Sequence, residues 1–199
     1  MEGAKLFFCW SYSPPTKVQA GFTFRNTVHE NRGVALYTLA NSEPQLRELA
    51  EAAMEIRYYE RIITRMAKLP ASPIETKGKG TFNRAFSFPG LKGKVVVINN
   101  SNVGTWPGNS RDYFREDDPI YIDDEGNLLD YVPFEQPQEI HFSRVDSADN
   151  SPGRVFDIKS CAEISCDNDG YKVAVMPGSG RLLFIGSERE AKQLHQLMK

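Results

Sequence analysis

Apolar and polar positions along this chain change their period near residue 76. Between Ser42 and Leu69, the residues Leu46, Leu49, Ala53, Ile56, Tyr59, Ile63 and Met66 recur at spacings of three and four, which puts them on one stripe of a helix. Arg47, Glu48, Glu51 and Glu55 lie off that stripe. Ser42 with Gln45 fits a capping box, Pro44 sits in the first turn where its missing N–H costs little, and Pro70 and Pro73 set the far end. The spacing predicts one long amphipathic helix over Ser42–Leu69, with a stripe that needs a surface to cover.

Residues 4–12 (AKLFFCWSY) read as a short, wholly apolar strand ending in aromatics, the pattern of a strand buried on both faces as in parallel sheets. Val34–Leu39 is a second apolar run. The stretch between them is polar and turn-rich, with Gly21–Phe24 as a candidate edge strand. No strand precedes Leu6, so the opening is expected to be part of a larger sheet.

Beyond Thr76 the period becomes two. Lys77-Gly78-Lys79-Gly80 has the composition of a linker. Strands are predicted at Thr81–Phe88 and Lys94–Asn99 around the turn Pro89-Gly90, and at Ile120–Ile122 and Leu128–Val132 around Asp124-Glu125-Gly126-Asn127. Others are predicted at Gln138–Phe142, Arg154–Ile158 and Ala162–Ser165. Tyr171, Val173 and Val175 alternate into Pro177-Gly178-Ser179-Gly180, and Leu182–Ile185 follows, which predicts a closing β-hairpin. Ala191, Leu194, Leu197 and Met198 predict a short helix over Ser187–Met198. The expected fold is mainly β: an antiparallel β-sandwich over 76–199, preceded over 1–75 by a short strand and the long amphipathic helix.

Composition narrows the function. With 199 residues, 40% of them apolar and 25% charged, the chain can bury a core. A net charge of −2 makes no electrostatic case for nucleic acid or an anionic membrane. No apolar run approaches the roughly 20 residues that cross a bilayer, and Leu6–Trp10 is too short for a signal-peptide core. Cys9, Cys161 and Cys166 are too few for a disulfide framework and read as buried or half-buried thiols, with a Cys161–Cys166 bridge as the alternative, and His29, His141 and His195 lack metal-ligand spacing.

The order of strand, loop, helix, linker and β-rich region resembles the end of a glycoside hydrolase in which a (β/α)8 barrel is followed by a C-terminal β-sandwich. The residues that carry the likeness are Gly3–Tyr12 as a late barrel strand, Gly33–Leu36 through Pro44–Leu49 as the run into the last barrel helix, and Lys94–Asn99 as a sandwich strand ending in asparagine. Val155-Phe156-Asp157-Ile158 and Val175–Leu182 resemble the strand before the closing hairpin and that hairpin itself. The resemblance implies a non-catalytic accessory region. Its expected partners are a carbohydrate, and a barrel or partner chain supplied from outside.

The paired carboxylates of such enzymes sit on earlier strands, so no catalytic residue is carried over. Trp10 and Tyr12 either stack on a sugar ring or pack at a strand end. The loop Asn100–Pro119 is longer and more aromatic than a connection requires, and Trp106, Tyr113 and Phe114 either bind carbohydrate or seal the end of the sandwich. Glu30 beside His29 is a loop dipeptide. Asp117, Asp118, Asp123, Asp124 and Glu125 do not follow an EF-hand, so no metal is expected. No cofactor is expected either: Gly90–Lys94 lacks phosphate-loop spacing, and Gly178-Ser179-Gly180 runs into a strand rather than a helix. Asn99-Asn100-Ser101 is a formal glycosylation sequon. Two other readings stand beside the first: a stand-alone carbohydrate-binding module, and a structural protein that completes a partner's fold.

Overall fold

The computed structural model describes residues 6–9, 33–36, 54, 56–78, 80–102, 104–105, 132–145 and 153–198. Strand β1 (Leu6–Cys9) lies parallel to β2 (Gly33–Leu36), with Leu6 opposite Gly33 and Cys9 opposite Leu36. A parallel pair cannot be joined by a tight turn, and residues 10–32 separate the two strands in sequence. The opening strand therefore has a partner, drawn from later in the same chain.

A single helical turn, α1 (Glu60–Ile63), leads into β3 (Ala67–Lys68) and β4 (Ile74–Lys77). Then follow β5 (Thr81–Ser87), β6 (Lys94–Asn100), β7 (Gly104–Thr105), β8 (Val132–Pro133) and β9 (Gln138–Arg144). The chain ends with β10 (Arg154–Asp157), β11 (Cys166–Asp167), β12 (Gly170–Val175), β13 (Gly180–Gly186) and α2 (Glu188–Leu197). Among the described residues two antiparallel sheets result, one of five strands in the order β10-β13-β6-β5-β3 and one of four in the order β11-β12-β9-β4. Strands β7 and β8 pair separately as a short stem.

The five-stranded sheet is covered on both faces, which explains the unbroken apolar run of β6. Val95 and Val97 meet Tyr59, Ile62 and Met66 beside α1 and Leu194 of α2. Val96 and Ile98, pointing the other way, meet Ile140, Phe142 and Val175 of the four-stranded sheet. Strand β13 does the same, with Leu182 and Phe184 towards the helices and Leu183 and Ile185 towards the second sheet. The described core is therefore layered as helices, sheet and sheet. Each fully buried aliphatic side chain there contributes about 1.5–3 kcal/mol.

The expected antiparallel β architecture is present, and the β5–β6 hairpin around Pro89-Gly90 has Ser87 opposite Lys94. The long helix is seen only in part. Residues 54 and 56–58 are helical, Tyr59 interrupts the ladder at φ −94°, ψ 2°, and α1 stops at Ile63. Ala67 and Lys68 instead pair with Ser87 and Phe86. The physical reason is competition: Tyr58, Tyr59, Ile62, Ile63 and Thr64 are aromatic or β-branched and hold a helix weakly, and pairing with β5 takes the chain into a strand from Ala67. Positions Ser42–Ala53 of the expected helix lie outside the described residues. Of the expected stripe, Tyr59, Ile63 and Met66 are buried and Ile56 partly so, Met66 lies beyond the helix, and Ile62, off that stripe, is fully buried as well.

Two other expectations are corrected. Strands β12 and β13 do not form a hairpin: β12 pairs with β9 and β11, and β13 with β6 and β10, so the Pro177–Gly180 turn is a corner between sheets. Ala162–Ser165 is not a strand. It covers the β10 edge through one bridge, Phe156 to Glu163, flanked by Asp157 N–H to the Ala162 carbonyl and Ile164 N–H to the Val155 carbonyl. The strand at this point is Cys166–Asp167, shifted towards the Asn168-Asp169 turn.

Candidate functional site

Strand β6 ends in two amides where an apolar strand would be expected to stop, and both are fully buried. Burying an amide costs free energy unless its donors and acceptors are paired. Asn100 is paired throughout. Its Nδ2 donates to Gln138 Oε1 at 2.9 Å and to the Val175 carbonyl at 3.3 Å. Its Oδ1 accepts the Asn102 N–H at 2.9 Å. Its backbone N–H donates to Ser179 O, and its carbonyl accepts the Gly178 N–H. Neighbouring Asn99 donates to the Ser179 carbonyl at 3.1 Å and accepts from Ser101 Oγ at 2.8 Å. The end of the first sheet, the start of β9 and the β12–β13 corner thus meet in one polar knot. From it the chain leaves towards the β7–β8 stem, which brackets residues 106–131.

A second tie lies nearby. Asp157, nearly buried, accepts Ser160 N–H at 2.9 Å and Arg181 Nη1 at 3.4 Å, while Arg181 Nε donates to the Ala174 carbonyl at 3.3 Å. Arg181 therefore joins β13 of one sheet to β12 of the other.

Remaining charge lies on the surface. The outward positions of the four-stranded sheet are Glu75, Lys77, Glu139, His141, Ser143, Lys172 and Ala174, set by alternation with buried Ile74, Ile140, Phe142 and Val175. None of these is aromatic, so the described part of that face is no stacking platform for a sugar. Lys172 pairs with Asp167 at 2.9 Å, and its hydrogen bond holds the Asp167 carboxyl below the usual range. Arg154 bridges Glu163 and Glu188. Hydrogen bonding to Glu163 raises the guanidinium pKa, and the Glu163 and Glu188 carboxyls are both lowered.

The aromatics singled out from sequence, Trp10, Tyr12, Trp106, Tyr113 and Phe114, lie outside the described residues, as do His29, Glu30 and the acidic run from Asp117 to Glu125. Among the described residues no group of His, Cys, Asp or Glu could hold a metal ion, and no helix is long and apolar enough to cross a membrane. Cys161 and Cys166 are free thiols, and Cys166 is exposed rather than half-buried because β11 is an edge strand. The sequon is not available in the folded domain, since the Asn99 Nδ2 that would carry a glycan is buried and engaged with Ser179. Sequence reading placed an asparagine at the end of β6. It missed Gln138 and Ser179, whose only local signal is a polar residue at the start of a strand and one in a turn.

Compared with protein-family models, curated proteins and solved structures, the chain finds no match.

Proposed function

We propose that this chain is a non-catalytic accessory β-sandwich region of a glycoside-hydrolase-like protein, bracing a barrel and contacting carbohydrate. The observation that carries the reading is the parallel register of β1 and β2, Leu6 opposite Gly33, ahead of two antiparallel sheets. Consecutive strands of a (β/α)8 barrel are parallel neighbours, and the sandwich follows them in the resemblance drawn above. Among the described residues β1 and β2 form a sheet of two strands, and in this reading the barrel contributes the strands beside them. In this reading the carbohydrate site is the segment carrying Trp106, Tyr113 and Phe114, since the described outward positions of the four-stranded sheet carry no aromatic side chain. The buried stripe of Tyr59, Ile63 and Met66 weighs against a protein that completes a partner's fold, because the chain's own sheet covers it.

The test is an assay of the 199-residue chain against a panel of glycosides, with calorimetric binding to soluble polysaccharides. No turnover is expected, together with binding that disappears when Trp106, Tyr113 and Phe114 are all replaced by alanine. Robust turnover by the chain alone, or binding indifferent to the triple replacement, would overturn the reading.

A further inference from the structure

We infer that Gln138 is a positioning residue whose side-chain oxygen latches both legs of the β7–β8 stem to the two sheets. The chain leaves β6 through Ser101 and Asn102 and reaches β7 at Gly104; it returns through β8 at Pro133 and enters β9 at Gln138. Gln138 Oε1 accepts from Asn102 Nδ2 at 3.2 Å, joining the outgoing leg to the returning one. The same oxygen accepts from Asn100 Nδ2 at 2.9 Å, joining both legs to the buried end of β6. Asn100 also donates to the Val175 carbonyl, so β12 is held in the same network. Gly80 closes the outgoing side: its carbonyl accepts the Ser101 N–H at 2.8 Å, and a Cβ on Gly80 would stand 3.1 Å from the Asn102 backbone nitrogen.

The network is directional. Both side chains that reach Gln138 are donors, so an acceptor is what position 138 must offer. A leucine there keeps the volume and removes the acceptor, leaving the fully buried Asn100 amide one partner short. A glutamate keeps the acceptor. This coupling does not depend on what the bracketed segment binds.

Hydrogen exchange of the full chain, followed by mass spectrometry, tests it. Gln138→Leu should speed exchange in peptides covering 102–105 and 132–135 by about tenfold, with peptides covering 94–98 and 182–186 changed by less than about twofold. Gln138→Glu should leave every one of these peptides close to wild type. Asn102→Ala, which removes one partly exposed donor, should speed exchange in the stem peptides by about threefold and serves if the leucine variant does not fold. Unchanged stem exchange in the leucine or alanine variant would overturn the inference. So would a parallel rise in stem and core, or a glutamate variant that behaves like leucine.

Discussion

Glu190 Oε1 accepts the backbone N–H of Lys92 at 2.7 Å, joining the first turn of α2 to the turn between β5 and β6. The other oxygen, Oε2, accepts Ser187 N–H at 3.2 Å and Ser187 Oγ at 2.6 Å, while Ser187 Oγ accepts the Glu190 N–H, so one carboxylate caps the helix and docks it. Replacing Glu190 by alanine removes both functions. We expect a loss of about 1–2 kcal/mol in urea unfolding, with most of the secondary structure retained.

The pH dependence follows from the same carboxylate. Burial raises its pKa, but the hydrogen bonds from Ser187, Lys92 and Gly93 outweigh burial and leave it below the usual range. A depressed folded pKa means that the stabilisation is complete above the unfolded value and is lost as pH falls through the folded one. Glu190→Gln should therefore be less stable than wild type near neutrality, and the gap should close as pH drops below about 4.5. Thermal melts at a series of pH values would check this, and a gap that widens on acidification would contradict it.

Two glycines with left-handed backbone should respond differently to alanine. Gly170, at φ 106°, follows the Asn168-Asp169 turn, and a Cβ there would stand 2.6 Å from the Phe142 carbonyl oxygen. Gly90, at φ 80°, has nothing within 4 Å of the corresponding position. Gly90→Ala should lose about 1–2 kcal/mol from backbone strain alone, and Gly170→Ala about 3 kcal/mol or more because strain and clash combine. Equal midpoints in urea would refute the distinction.

Adjacent residues of β13 face different layers, so both should be costly to truncate. Leu182 belongs to the helix-facing cluster and Leu183 to the inter-sheet cluster, each fully buried. Each change to alanine should lose about 2–5 kcal/mol in chemical unfolding. A strand with one solvated face would lose that much at only one of the two positions.

The positions of β5, β6, β9, β10, β12 and β13 were legible because alternation and the Val95–Ile98 run report burial directly; β3 and β4 were not, since Ala67–Lys68 continues the helical spacing and Lys77 opens a linker-like run, and the strand expected at Ile120–Ile122 lies outside the described residues. Sheet membership was not legible. Pro177-Gly178-Ser179-Gly180 suits a tight hairpin or a corner between sheets equally well, and the deciding hydrogen bonds come from Asn100, far away in sequence. The helix was legible as a stripe but not in extent. Three-and-four spacing continues to Met66, whereas the strand that takes Ala67 and Lys68 out of the helix pairs with Phe86 and Ser87 of β5, beyond β4 of the other sheet in sequence. At the polar knot, Asn99 and Asn100 stood out as amides closing an apolar strand. Gln138 acquires meaning only from the pairing that brings β9 beside them.

The last strand of the five-stranded sheet to be synthesised, β13, lies between β6 and β10 and holds them together. On the ribosome, Val95–Ile98 must wait for Leu182–Ile185 to emerge before that side of the sheet can close. A nascent chain halted at the Pro177–Gly180 corner exposes a bare β-branched edge, so premature termination there yields an aggregation-prone product rather than a smaller folded one.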